Sequence, residues 1–317
     1  GLITVKNTKT TTNISGNQIR IYPQRSFYGE LKVTINAGLI NKEGYKSDYS
    51  STLTLYISQE KPEVRLVGKG NIIPKTDGKI PFVFEAKNLA AVDVRVIKVF
   101  EKNISQFFQV NQIDGNDELK RVGQEIARHK ISLTGQNKNL GQWNQHTVDL
   151  NKIISPEPGA IYEIGIGFKK EYSLYSCAGE EEEEESTEEK LDMLELKHWG
   201  NPNRNYWGYY YGSYRDRDNP CKEAYYNKNR VVTRNILASS LGIIVKSDLG
   251  NNYTVVINDI NTTATLPNTK VYFYDYQQQI VGYGTTDSRG LLQVKLKSKP
   301  FLLIAKKDKE RGYLRLD

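Results

Sequence analysis

Alternation of apolar and polar residues is sharpest between Ile80 and Val110. From Val92 to Val99 the chain sets Val92, Val94 and Val96 on one side and Asp93 and Arg95 on the other. That is the period of a half-buried strand with one face in a core and one in water. Before it, Ile80, Phe82 and Phe84 alternate with Pro81, Val83 and Glu85, and the link Lys87-Asn88-Leu89-Ala90-Ala91 is short enough for the two strands to pair. From Asn103 to Val110, Ile104, Phe107 and Phe108 fall on one side of one or two helical turns. The stretch predicts the heart of a β-sandwich.

The same pattern recurs along the chain in shorter pieces. Residues 1–60 carry strand-like runs at Ile3–Lys6, Gln18–Tyr22, Leu31–Ile35 and Thr52–Ile57, with turns at Asn13–Asn17 and Asn41–Tyr45. Four short strands make an incomplete sandwich, read as naturally small or as missing its first strands. Lys61-Pro62-Glu63 marks a boundary, because proline ends regular pairing. A second unit, residues 61–170, continues through strands at Ile126–Leu133, Val148–Leu150 and Ile161–Phe168, with Trp143 as a core or edge aromatic. Residues 171–235 break the pattern, and 236–317 return to it. There, Leu241–Lys246 and Tyr253–Ile257 form a hairpin, followed by strands at Val271–Tyr274, Leu291–Leu296, Phe301–Lys306 and Tyr313–Leu316, with Gly284–Gly290 as a turn. At 317 residues the core must be divided among two or three such units.

Composition adds few possibilities. Lys and Arg total 44 against 37 acids, a net +7, and eight of the acids lie within residues 180–189. The basic residues are spread along every segment, often between apolar strand positions, as on solvated sheet faces, so no nucleic-acid partner is expected. The acidic run is expected to repel itself into a solvated segment, with Leu191, Leu194, Leu196 and Trp199 able to anchor a short helix. Trp207, Tyr209, Tyr210, Tyr211 and Tyr214, loosened by glycines, form an aromatic cluster. It reads either as rings covering a sandwich edge or as a platform for a glycan or a protein partner.

Catalytic and metal chemistry is thin. His129, His146 and His198 are far apart, and no nucleophile elbow, zinc helix or phosphate loop occurs. Ile113-Asp114-Gly115-Asn116-Asp117 lacks the order of a calcium loop and reads as a turn. Cys177, His198 and Cys221 lack the close-spaced pairs of a structural zinc site. Neither a metal nor another cofactor is expected. The two cysteines fit one disulfide in an oxidising compartment, which would contribute about 4 kcal/mol by loop entropy, with a pair of buried free thiols as the alternative. The first residues already read as a strand, so an export signal is expected to have been removed or to lie outside this chain. The end at a strand suggests a piece of something longer.

Several stretches carry a family likeness. Val64–Gly70, Pro81–Leu89 with Val92–Val96, Ile104–Gln109 and Glu118–Gly123 resemble the amino-terminal part of bacterial alpha-2-macroglobulin-like proteins. Arg234–Ile244 and Thr285–Gly290 resemble that family's next macroglobulin-type sandwich, and Val33–Ile40 followed by Gly44 resembles a bacterial Ig-like domain. The resemblance implies an all-β chain of tandem Ig-like and macroglobulin-type antiparallel sandwiches, interrupted by the mostly irregular insertion 171–235. It implies a non-catalytic scaffold segment of an exported, lipid-anchored envelope protein that traps proteases. Partners would be proteases through the full-length protein, and other envelope proteins or glycans, with the membrane reached only by an anchor outside this chain. The family's thioester joins a Cys to a nearby Gln; Cys177-Ala178-Gly179-Glu180-Glu181 has no such Gln. The other reading is a surface adhesin or glycan-binding module using the aromatic cluster.

Overall fold

The structure is a computed structural model that describes residues 3–6, 9–16, 18–23, 29–57, 59–74, 79–135, 139–157, 159–177, 216–226 and 230–316. Its elements are antiparallel strands with little helix. In the first unit β1 (Ile3–Val5), β4 (Gly29–Ile35) and β5 (Ser51–Ile57) form a sheet in the order β1-β4-β5, beside a hairpin of β2 (Thr10–Ser15) and β3 (Gln18–Pro23). The expected turn at 13–17 is shorter than its composition suggests. Asn13, Ile14 and Ser15 stay in β2, and Gly16, at a φ of 59°, turns the chain.

The second unit departs from expectation in two ways. β7 (Pro81–Lys87) and β8 (Ala91–Val99) do not pair: β7 lies between β6 (Glu63–Leu66) and β10 (Asn144–Asp149), whereas β8 belongs to the sheet β12-β11-β8-β9. The short link carries the chain from one layer to the other, with Asn88 in the left-handed region at 53°. Phe82 and Phe84 thereby meet Val92, Val94 and Val96 face to face in one core, burying more apolar surface than side-by-side pairing could. The second departure is the face of β8 expected to be wet. Asp93 and Arg95 are buried, and further along the same strand Ile97 and Val99 enter another core. The remaining strands of that sheet are β9 (Gly123–Ser132), β11 (Ile161–Gly167) and β12 (Val232–Leu237), the last straddling the end of the insertion and pairing with β11.

Seven strands form the third unit: β13 (Leu241–Ser247), β14 (Asn252–Asp259), β15 (Lys270–Tyr274), β16 (Ile280–Thr285), β17 (Leu291–Lys295), β18 (Leu302–Lys307) and β19 (Glu310–Arg315). They lie in two sheets, β13-β14-β17 and β16-β15-β18-β19. The expected hairpin is β13 with β14, its turn fixed by Asp248, which accepts from the amides of Gly250 and Asn252 at 2.8 and 3.0 Å. β16 is not among the expected strands, and its end at Gly284 and Thr285 falls within the expected turn. Its glycines are packing devices, since a Cβ on Gly284 would collide with the Leu292 side chain.

Candidate functional site

Two regions bring together residues that are far apart in the sequence. The first surrounds the cysteines. Cys177 and Cys221 are joined as a disulfide with Cα atoms 5.5 Å apart, spanning 44 positions. Both sulfurs are used, so the zinc set considered with His198 loses its thiolates; His198 itself lies outside the described residues. Alkylation of the denatured chain without reductant is therefore expected to label no thiol, and reduction to expose two by intact mass. Label taken up before reduction would contradict the bond.

Beside the disulfide, Tyr172, Tyr225 and Tyr226 sink into the core of the second unit. Tyr226 packs edge-on against Phe168 at 5.8 Å and against Tyr225 at 5.1 Å. Each hydroxyl has an acceptor: Tyr172 donates to Asp93 Oδ1 at 3.0 Å, Tyr225 to the carbonyl of Pro62 at 2.8 Å, and Tyr226 to that of Pro220 at 2.6 Å. Burial pushes the Tyr226 phenol up to about 12 and raises the other two, so all three remain protonated donors at neutral pH. The expected aromatic cluster at Trp207, Tyr209, Tyr210, Tyr211 and Tyr214 lies outside the described residues, as do the acidic run and the short helix expected after it. The rings at the ends of the insertion carried no expectation of their own. The adjacent pair Tyr225-Tyr226 was the available signal.

The second region joins the second and third units. α1 (Ile104–Val110) forms as expected, with Ile104, Phe107 and Phe108 buried, and α2 (Leu119–Val122) follows. Their apolar faces share one core with Ile97, Val99 and Ile161 of the second unit and Phe301, Leu302, Ile304 and Tyr313 of the third. Polar contacts rim it. Tyr313 donates to the carbonyl of Gly159 at 2.5 Å, Arg311 meets Glu101 at 2.8 Å, and Arg315 donates to the carbonyl of Asn111 at 3.0 Å. Burial raises the Tyr313 phenol, which keeps its proton for that bond.

The loop between α1 and α2 contains Ile113-Asp114-Gly115-Asn116-Asp117, the expected turn. Asn235 donates to the carbonyls of Ile113 and Gly115 at 2.9 and 2.5 Å, and Asn111 accepts from the amide of Asp117 at 2.8 Å. Two carbonyls that face a side-chain amide are thus committed within the fold. Among the described residues no group of three or more His, Cys, Asp or Glu could hold a metal ion. Trp143 is an edge aromatic, with Arg65 at 4.2 Å and Lys87 at 4.9 Å from its ring centre.

The third unit decides the relationship. Residues 238–317, starting directly after β12, match the family model of the bacterial alpha-2-macroglobulin MG3 domain. That unit is similar to a bacterial alpha-2-macroglobulin domain. The fold of the whole chain agrees along its length with the crystal structure of native Escherichia coli alpha-2-macroglobulin spanning domains MG0-NIE-MG1, at 15% identity and a TM-score of 0.58, covering 100% of this chain and 86% of that one. The cryo-EM reconstruction of the native E. coli protein is similar at 15% identity and a TM-score of 0.58, covering 99% of this chain. This chain spans 16% of the length of that reconstruction. Comparison with curated protein sequences gives no match. The alpha-2-macroglobulin likeness, expected from the wording of several strands, is supported by sequence in the third unit and by fold throughout.

Proposed function

We propose that this chain is the non-catalytic amino-terminal scaffold of an exported, lipid-anchored alpha-2-macroglobulin-like protein that traps proteases. The observation carrying this reading is the match of residues 238–317 to the bacterial alpha-2-macroglobulin MG3 domain. The disulfide supports an oxidising compartment outside the cytosol. It also leaves neither cysteine free for a thioester, so capture chemistry belongs to other parts of the full-length protein.

In this reading residues 1–60, 61–170 and 236–317 are successive beads. The stretch 171–235 is inserted between the last two, and its final residues supply β12 to the middle bead. The work of the segment is mechanical: it keeps beads in fixed relation while the remainder of the protein engages a protease.

The test uses the full-length protein and the isolated 317-residue chain, each mixed with an active protease. Full-length protein is expected to suppress cleavage of a large protein substrate while sparing cleavage of a small peptide. The isolated chain is expected to change neither rate. Full-length protein that leaves digestion of the large substrate untouched would overturn the trapping role.

A further inference from the structure

We propose that the disulfide corner is a clamp on the linker between the first sheet and the second sandwich, so that one covalent bond sets the direction in which the first unit leaves the rest of the chain. The linker runs from the end of β5 at Ile57 to the start of β6 at Glu63, and its described residues are 59–62. Each of its four residues is held. Gln59 donates through Nε2 to the carbonyl of Leu174 at 2.9 Å and accepts at Oε1 from the amide of Ser176 at 2.8 Å. Lys61 donates to the carbonyl of Asp218 at 2.6 Å, and the carbonyl of Pro62 accepts from Tyr225. On the other side, Lys87 pairs with Glu60 at 2.7 Å, and the Asn88 side-chain amide donates to the Glu60 carbonyl. Burial alone would lower the Lys87 pKa, but Glu60 and Glu63 outweigh it and raise it, keeping that grip charged.

The gripping groups come from both sides of the disulfide. Leu174 and Ser176 precede Cys177, whereas Asp218 lies just before Cys221 and Tyr225 just after it. Tyr172 and Tyr225 anchor the two flanks in the core, but Leu174, Ser176 and Asp218 lie on the insertion side of those anchors. Without the bond, these flanks would rest on isolated polar contacts, such as the Leu174 amide on the Asn88 carbonyl and Arg230 on Asp218, and such ends open locally at little cost. With it, the flanks form one block that closes on the linker. Among the described residues, the first unit's buried Leu31 and Val33 belong to none of the three hydrophobic cores. Polar contacts at the linker therefore decide its direction.

The experiment follows hydrogen exchange by mass spectrometry, with small-angle X-ray scattering, on the whole 317-residue chain. Three states are compared: the oxidised chain, the chain reduced by dithiothreitol, and the Cys177→Ser/Cys221→Ser variant. In the reduction the S–S bond takes two electrons and two protons to give two thiols while the reagent closes to its cyclic disulfide. Both altered states are expected to exchange the Ser176 amide more than about tenfold faster, while β8 and β11 stay protected. The scattering curve is expected to show a larger radius of gyration. Ser176 exchange within about twofold of the oxidised chain, with superimposable scattering, would overturn the clamp. Should β8 and β11 lose protection in the cysteine variant, Gln59→Ala/Lys61→Ala decides with the disulfide intact: expanded scattering is the expected result, and an unchanged curve overturns the proposal.

Discussion

Replacing Phe108 by Ala is expected to lower the unfolding free energy by about 3–5 kcal/mol and to split the melting of the second and third units into two steps. Phe108 is 2% exposed and lies in the core that the two units share, 5.2 Å from the Phe107 ring and 6.0 Å from that of Tyr313. Truncating it removes apolar contact and leaves a cavity bordered by both units, so the loss falls on their coupling. Leu303→Ala is the control. Leu303 is buried in the private core of the third unit, and its truncation should lower the stability of that unit without uncoupling it from its neighbour through the shared core. Differential scanning calorimetry reads both effects. A Phe108→Ala chain that still melts in one step, with less than about 1 kcal/mol lost, would show that the joint does not couple the units.

Arg95→Met should destabilise the chain by about 3–5 kcal/mol at neutral pH, and the double variant Arg95→Met/Glu163→Leu should recover most of that loss. Arg95 and Glu163, 2% and 3% exposed, meet at 3.3 Å across the neighbouring strands β8 and β11. Removing one partner leaves the other as an uncompensated buried charge, which costs more than removing both. Burial already holds the Glu163 carboxyl above its usual range, with Arg95 pulling it back. Because the folded value lies above the unfolded one, the folded state binds this proton more tightly. The corresponding stability is fully present below the unfolded carboxyl value and is lost as the pH rises through the raised folded value. The Arg95→Met defect should consequently be larger at pH 7 than near pH 4 in urea unfolding. A double variant less stable than Arg95→Met alone would refute the account.

Much of the architecture could be read from local pattern because strands advertise their own alternation. The hairpin of β13 and β14 and the buried side of α1 are set by residues close together in sequence, and both appear where the pattern puts them. The misreadings share one cause, which is dependence on partners far away. Asp93 and Arg95 looked solvated because the groups that receive them, Tyr172 and Glu163, lie 79 and 68 positions onward. Pairing between β7 and β8 looked natural from the short link, whereas the choice between pairing and facing is made by Phe82, Phe84 and the three valines together. In the candidate regions the count of two cysteines suggests one disulfide, with a pair of free thiols as the alternative. The grip of Gln59 on Leu174 and of Tyr225 on Pro62 spans 115 and 163 positions and leaves no periodic trace.

The shared core also imposes an order of assembly. Ile97, Val99 and the two short helices near the middle of the chain find their cover in Phe301, Leu302, Ile304 and Tyr313, some two hundred positions later. A ribosome or a translocation pore delivering the chain from its amino end would present the middle unit with one apolar flank bare until the last strands emerge. Contacts of such long sequence separation form slowly, and an uncovered flank invites the wrong neighbour. Holding that flank safe in the interval falls to whatever receives the growing chain.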